Sequence, residues 1–218
     1  MNVQSAGHTS RRHRPGVRRA LVGAAVLLVI GAMVLDTKIV QIGSSEDVQT
    51  AVFSAEAYGK TEFPKVQAEI ERRAVDAATL ATAIAADRKA AEKQYGVGEG
   101  VGPVMSVKFS GVVGEGKSGI YNVAVDGLPD TLLVRVQTGP AINGTELRDA
   151  TGTIAFGQFK NQIEYQDAGS ALNNAMKAEV LSKIDTSQLQ GKTIAVTGAF
   201  KLINPKSWLV TPVRLDVQ

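Results

Sequence analysis

The sequence predicts an α+β protein: one N-terminal transmembrane helix, a helical arm, then a small β-barrel with one inserted helix. Three observations carry this. Ala20 to Leu35 reads ALVGAAVLLVIGAMVL, without a charge or a strongly polar side chain. From Ser44 to Tyr95 the apolar residues recur at helical spacing, and after the glycines that follow the period changes to two.

A basic stretch precedes the apolar segment: Arg11, Arg12, His13, Arg14, Arg18 and Arg19. A basic flank followed by an apolar core is the pattern that directs a chain to a membrane translocase. The charge follows the same division. The chain is +3 overall, yet residues 1–19 hold five of the 24 Lys and Arg and none of the 21 Asp and Glu, so the remainder is net −2. The basic excess therefore belongs to a topogenic signal and not to a nucleic-acid footprint, which needs a basic face on the folded part. No nucleic acid is expected as a partner. Basic residues hold their flank in the cytoplasm. Residues 1–19 should form a cytoplasmic segment and 20–40 a single-pass signal anchor, with the rest in the periplasm or outside.

The core exits through Met33, Val34, Leu35, Asp36, Thr37 and Lys38, which offers no good small-residue cleavage site. An uncleaved anchor is the favoured reading, and cleavage at a poor site is the alternative. Ile39 and Val40 can lengthen the span if Arg18, Arg19 and Lys38 snorkel. Ser10-Arg11-Arg12 gives only a faint twin-arginine pattern. With zero cysteine, thiol nucleophiles, disulfides and lipid attachment at the segment's exit are all excluded.

Residues 44–96 read as the helical arm. Ser45 can cap, with Glu46 and Asp47 in the first turn and Val48, Ala51, Val52 and Ala55 on one face. Gly59 and Pro64 break the run, and Pro64 suits the first turn of a second helix. That helix carries Val66, Ile70, Ala74, Ala77, Ala81, Ile84 and Ala85 and stops near Tyr95. Gly96, Gly98, Gly100 and Gly102 lack the Lys-Ser/Thr of a phosphate loop and read as a hinge.

Residues 103–218 form the β domain. Val104–Val113, Gly119–Val125 and Thr131–Gln137 read as strands, with turns at 115–119 and 126–130. A loop over 139–150 precedes a short strand at 153–156. Asp167 caps a helix to about Ile184. Gly191–Ile203 and Ser207–Val217 form a last hairpin turning at Asn204-Pro205-Lys206. Three strands, a helix and two strands is the element order of an OB-fold, though other small barrels share it.

The densest polar stretch is 137–174. Asn143, Thr145, Arg148, Asp149, Asn161, Gln162 and Glu164 are its candidate ligand- or partner-binding residues. Two readings stay open. Arg148 pairs with an internal carboxylate and the amides satisfy loop backbone, or these residues line a polar cleft of the kind that holds sugar hydroxyls. Catalytic templates fare poorly: both histidines, His8 and His13, precede the anchor, which removes the common nucleophilic systems. Glu146 with Asp149, or Glu164 with Asp167, could do acid–base work, but a solvated loop or cap is the favoured reading of each pair. No catalytic residue, metal or cofactor is expected.

Gln137-x-Gly139-Pro140-x-Ile142-x-Gly144-Thr145-x-Leu147-Arg148-Asp149-Ala150 leads to Ile154-x-Phe156-x-x-Phe159-x-Asn161-Gln162-Ile163-Glu164-Tyr165. Ala171-Leu172-Asn173, Gly191-Lys192, Gly198-Ala199-Phe200 and Thr211-Pro212-Val213 follow. This series resembles a bacterial family of predicted periplasmic lipoproteins, the domain-of-unknown-function family twenty-two ninety-one, over nearly the whole chain. The family has no established reaction. Its genes often neighbour those of sugar-type ABC import systems. The resemblance thus implies a non-enzymatic accessory or binding role, with an ABC permease, a periplasmic sugar-binding protein or a carbohydrate as partner. The missing cysteine departs from the lipoprotein label; the anchor would hold the domain at the same membrane face. A structural envelope protein that binds glycan or another membrane protein is the second reading, and a carboxylate-based glycan hydrolase the third.

Overall fold

The computed structural model describes residues 15–36, 53–98 and 102–218, with side chains from residue 19 onward in the first stretch. The segment 1–14, the Ser45 cap with its first turn and the anchor's end at 37–40 lie outside the described residues. Two units are distinguished, 1–52 and 53–218.

In the first unit, α1 spans Pro15–Asp36. Its Arg19–Asp36 window has a mean hydropathy of 2.0, long and apolar enough to cross a membrane. Its 22 residues rise roughly 33 Å, against about 30 Å of hydrocarbon. The helix starts five residues before the apolar run, because nothing in Pro15-Gly16-Val17-Arg18-Arg19 forces a stop and Pro15 suits a first turn.

The second unit opens with α2, Ala55–Arg73, capped by Ser54, whose hydroxyl accepts from the Ala57 N–H at 3.3 Å. Gly59 and Pro64 do not break it, contrary to the sequence expectation. Pro64 is exposed, so the carbonyl left without its N–H faces water. Gly59 is a contact notch: a Cβ there would stand 2.5 Å from the Ala171 carbonyl oxygen. The helix expected to continue to Tyr95 breaks instead at two aspartates. Asp76 and Asp87 act as N-caps, Asp76 Oδ1 accepting from Ala78 and Thr79 and Asp87 Oδ1 from Ala90. They start α3, Ala77–Ala86, and α4, Arg88–Tyr95. Between α2 and α3, β1 (Val75–Asp76) lies parallel to Val107–Lys108. After α4, β2 (Gly96–Val97) pairs antiparallel with Val104–Met105. The start of the glycine run, Gly96-Val97, is therefore held by ladder bonds, and residues 99–101 lie outside the described residues.

The stretch read as a separate arm belongs to the same core as the strands. Phe63, Val66, Ile70, Leu80 and Ile84 are buried in one cluster with Val107, Val136, Phe200 and Trp208. An Ala-rich face has too little apolar area to stand alone and must bury itself against the sheet.

The long strands are β3 (Val104–Lys117), β4 (Ile120–Val125), β5 (Leu133–Gln137), β6 (Thr193–Lys201) and β7 (Ser207–Val217). β3 pairs antiparallel with β4 and β6, β4 with β5, and β6 with β7, whereas β5 and β7 are parallel. The β3–β4 turn shrinks to Ser118-Gly119, with φ of 53° and 74°, the two-residue hairpin turn that matches strand twist. Phe200 and Trp208 stack at 4.6 Å between ring centres.

Two local expectations are corrected. Residues 153–155 form no strand, and Phe156–Gln158 is a single 3-10 turn. The connecting helix is α6, Gln162–Glu179, capped by Asn161 and not by Asp167. Asn161 wins because its side chain meets the free Glu164 N–H one turn on, leaving Asp167 exposed inside the helix. A four-residue helix, α5 (Glu146–Asp149), lies before it. The whole is an α+β unit with an OB-like strand order.

Candidate binding surface at the start of α6

The polar stretch resolves into three groups. The first is a clasp. Arg148 is 8% exposed. Its Nε donates to Asp149 Oδ1 at 2.8 Å and Nη1 donates to the Tyr165 carbonyl at 3.1 Å. Its guanidinium carbon lies 3.7 Å from the centre of the Tyr165 ring, within cation–π range. Thr145 Oγ1 donates to the other Asp149 oxygen at 2.6 Å. Thr145, Arg148 and Asp149 thus tie α5 to the first turns of α6.

The second group starts α6. Asn161 Oδ1 accepts from the Glu164 N–H at 2.9 Å, and Glu164 Oε2 accepts from the Lys160 N–H at 3.0 Å. The first bond serves an N–H group that the helix start leaves without a partner, and the second ties the backbone before the cap to the first turn. The third group ties the 139–150 loop to the sheet. The Asn143 backbone exchanges hydrogen bonds with the Gln137 amide, and Gln137 Nε2 also donates to Thr211 Oγ1 at 2.8 Å. The residues Asn143 and Gln162 are exposed. Thr145, Arg148, Asp149, Asn161 and Glu164 are brought together by α5 and α6; Asn143 is held apart on the strand network, and Gln162 stands at the open rim.

Sequence reasoning missed an aromatic cluster that lines this region. Phe159 lies 5.8 Å from Phe53, 5.7 Å from Tyr58 and 5.4 Å from Tyr165, ring centre to ring centre, and Phe156 is 5.7 Å from Tyr165. Phe156, Phe159 and Tyr165 stand close in sequence and could have been found there. Phe53 and Tyr58, a hundred residues earlier, could not. Phe156 is 50% exposed and Ile163 71%, so the outer member of the cluster and the first turn of α6 both stand open to solvent.

Glu146 is the perturbed carboxyl of the stretch. Burial pushes its pKa up, and Asp149 adds to the rise, while its own backbone N–H and Lys201 oppose it. The other carboxylates do not form a facing pair. Asp149 spends both oxygens on Arg148 and Thr145, and Glu164 serves the helix start. Among the described residues no group of three His, Cys, Asp or Glu could hold a metal. A separate cavity of about 550 Å³ opens beside the end of α6 and β7, lined by Glu179, Lys183, Asp185, Arg214 and Asp216 among others, and includes none of these residues.

A helix long and apolar enough to cross a membrane precedes, along the chain, an OB-like unit that carries this braced polar and aromatic surface. The chain belongs to the DUF2291 family, described as predicted periplasmic lipoprotein, which it matches over residues 24–216. It is a periplasmic, membrane-associated member. Among solved structures it is similar to an OB-fold protein from Thermotoga maritima, at 19% identity and a TM-score of 0.61, over 77% of this chain and 99% of that one. At that identity the likeness shows the fold alone. The comparison with curated proteins finds no match. The family's lipoprotein description requires a cysteine to carry lipid, and this sequence has none.

Proposed function

We propose that the chain is a non-enzymatic accessory or binding module of a sugar-type ABC import system, anchored by α1 with its N-terminus in the cytoplasm and residues 53–218 outside. The observation that carries this reading is the Arg148 clasp. A guanidinium held by Asp149, the Tyr165 carbonyl and the Tyr165 ring keeps the start of α6 rigid, so Phe156, Gln162 and Ile163 form a preorganised edge with little ordering cost on binding. Thr145, Arg148, Asp149, Asn161 and Glu164 position the edge, and Gln162 offers an exposed amide there. An aromatic face beside an amide suits the permease, its periplasmic binding protein or a carbohydrate.

The test is mild crosslinking of the full-length protein in native membranes, followed by purification. Recovery of a permease or a binding protein, lost in the Phe156→Ala/Gln162→Ala double variant at unchanged melting temperature, supports the reading. Recovery of neither, with no sugar shifting the melting temperature, overturns it.

A structural envelope role is the second reading, favoured by the exposed Phe156 and Ile163 side chains, which a protein contact would cover. Envelope defects in a deletion strain that grows equally on every transported sugar would select it. The engaged oxygens of Asp149 and Glu164 leave no observation in favour of a hydrolase.

A further inference from the structure

Arg135 has more donors than the protein gives it acceptors. It stands in the middle of β5, paired with Asn122 of β4 on one side and Leu209 of β7 on the other. Val134 and Val136 turn into the core, so strand alternation places Arg135 on the opposite face. Among the described residues its one hydrogen-bond partner is Ser207, whose Oγ accepts from Nη2 at 3.1 Å. Nε is buried and has no acceptor, and no carboxylate among the described residues lies within ion-pair distance of it. A guanidinium laid over apolar surface normally keeps its head in water. This one is half-buried, and an unmade bond at a buried donor is costly.

Beside it is a cavity of about 420 Å³, lined by Glu115, Lys117, Ser118, Ile120 and Asn122 together with Arg135. It lies at the tip of the β3–β4 hairpin and falls within the size range of small-molecule sites. The wall carries two cations and one anion. That balance suits a monoanion and penalises a phosphate dianion, which would face Glu115. A guanidinium fork matches a planar carboxylate, and the Asn122 amide and Ser118 hydroxyl can hold hydroxyl groups.

We propose that this cavity binds a small polyhydroxylated monocarboxylic acid, of the uronic or aldonic acid class, with Arg135 holding the carboxylate and Asn122 and Ser118 the hydroxyls. A carboxylate arriving at the end of the guanidinium gives Nη1 and the remaining Nη2 donor their acceptors. The site shares no residue with the Arg148 surface and does not rest on the importer reading; its failure would leave the crosslinking result untouched.

The test is calorimetric titration of the full-length protein in nanodiscs with D-glucuronate, D-gluconate, D-glucose and inorganic phosphate, and with a uronate trimer. The expected result is binding of the acids and not of glucose, with Arg135→Gln weakening it by tenfold or more, about 1.4 kcal/mol. Arg135→Lys should recover part, and Lys117→Gln should weaken it by less. The two milder variants keep the question open to refutation if Arg135→Gln fails to fold. Binding of the trimer alone retains the carboxylate site and assigns the source to a glycan end. Glucose or phosphate binding as tightly as glucuronate, affinity unchanged in the Arg135 variants, or no binding of any acid overturns the proposal.

Discussion

The guanidinium carbon of Arg148 lies 3.7 Å from the centre of the Tyr165 ring while its Nη1 donates to the carbonyl of that same residue. One side chain therefore holds another residue by both its ring and its backbone. Arg148→Ala should cost about 2–3 kcal/mol, somewhat below the full cost of a stranded buried charge, because the Asp149 side chain stays 24% exposed. A fall in melting temperature of roughly 6–10 °C is expected, read by circular dichroism. Arg148→Lys should recover less than half, since an ammonium cannot both stack and fork.

Gly59→Ala should destabilise although alanine is the better helix former. The propensity gain is about 1 kcal/mol. The new Cβ would meet the Ala171 carbonyl oxygen at 2.5 Å, and a backbone atom inside α6 cannot move aside. With overpacking costs of about 1–3 kcal/mol set against that gain, urea denaturation should give a net loss of up to about 2 kcal/mol. A stabilised variant would mean that α2 and α6 can separate freely.

Asn161→Ala should lower stability by about 1 kcal/mol, the usual cost of a lost cap. Asn161→Ser should restore most of it in the same denaturation measurement. Full restoration of stability without restoration of partner recovery would place Asn161 in direct contact with the partner.

Glu146 sets a pH dependence. Its pKa is raised in the folded state, chiefly by burial, so the folded protein holds this proton more tightly than the unfolded chain. Stability from this group is complete below the unfolded carboxyl range and is lost as pH rises through the folded value. Glu146→Gln should remove that decline, raising the melting temperature at neutral pH and leaving it little changed near pH 4, as followed by a melting series across pH. A variant with an unaltered pH profile would refute the assignment.

The legible parts of the fold were those written in a local period. Alternation over 104–113, the turn chemistry at Asp126-Gly127 and Asn204-Pro205-Lys206, and the apolar run of α1 stand in the sequence as they stand in the structure. The helical segment was misread where a residue acts through a distant partner. Gly59 is a breaker by propensity and a notch once Ala171 faces it. Asp76 and Asp87 were hidden as helix starts by the continuous apolar face around them. In the polar stretch, residue types were legible and roles were not, because Arg148 and Tyr165 meet only after α5 and α6 dock. Arg135 went unmarked because an arginine between two valines looks like any outward strand position.

The parallel pairing of β5 with β7 has a consequence for biogenesis. Residues 133–136 meet residues 207–210, and β7 is also the partner of β6. A chain delivered N-terminus first presents β5 long before β7 arrives, and the edges of β5 and β6 that β7 will cover stay open to any passing strand until it does. The unit thus cannot complete itself during delivery. Holding those edges apart until the last strand emerges falls to whatever attends the chain on the far side, and secretion rate and escort supply, more than final stability, should set how much of this protein the cell obtains.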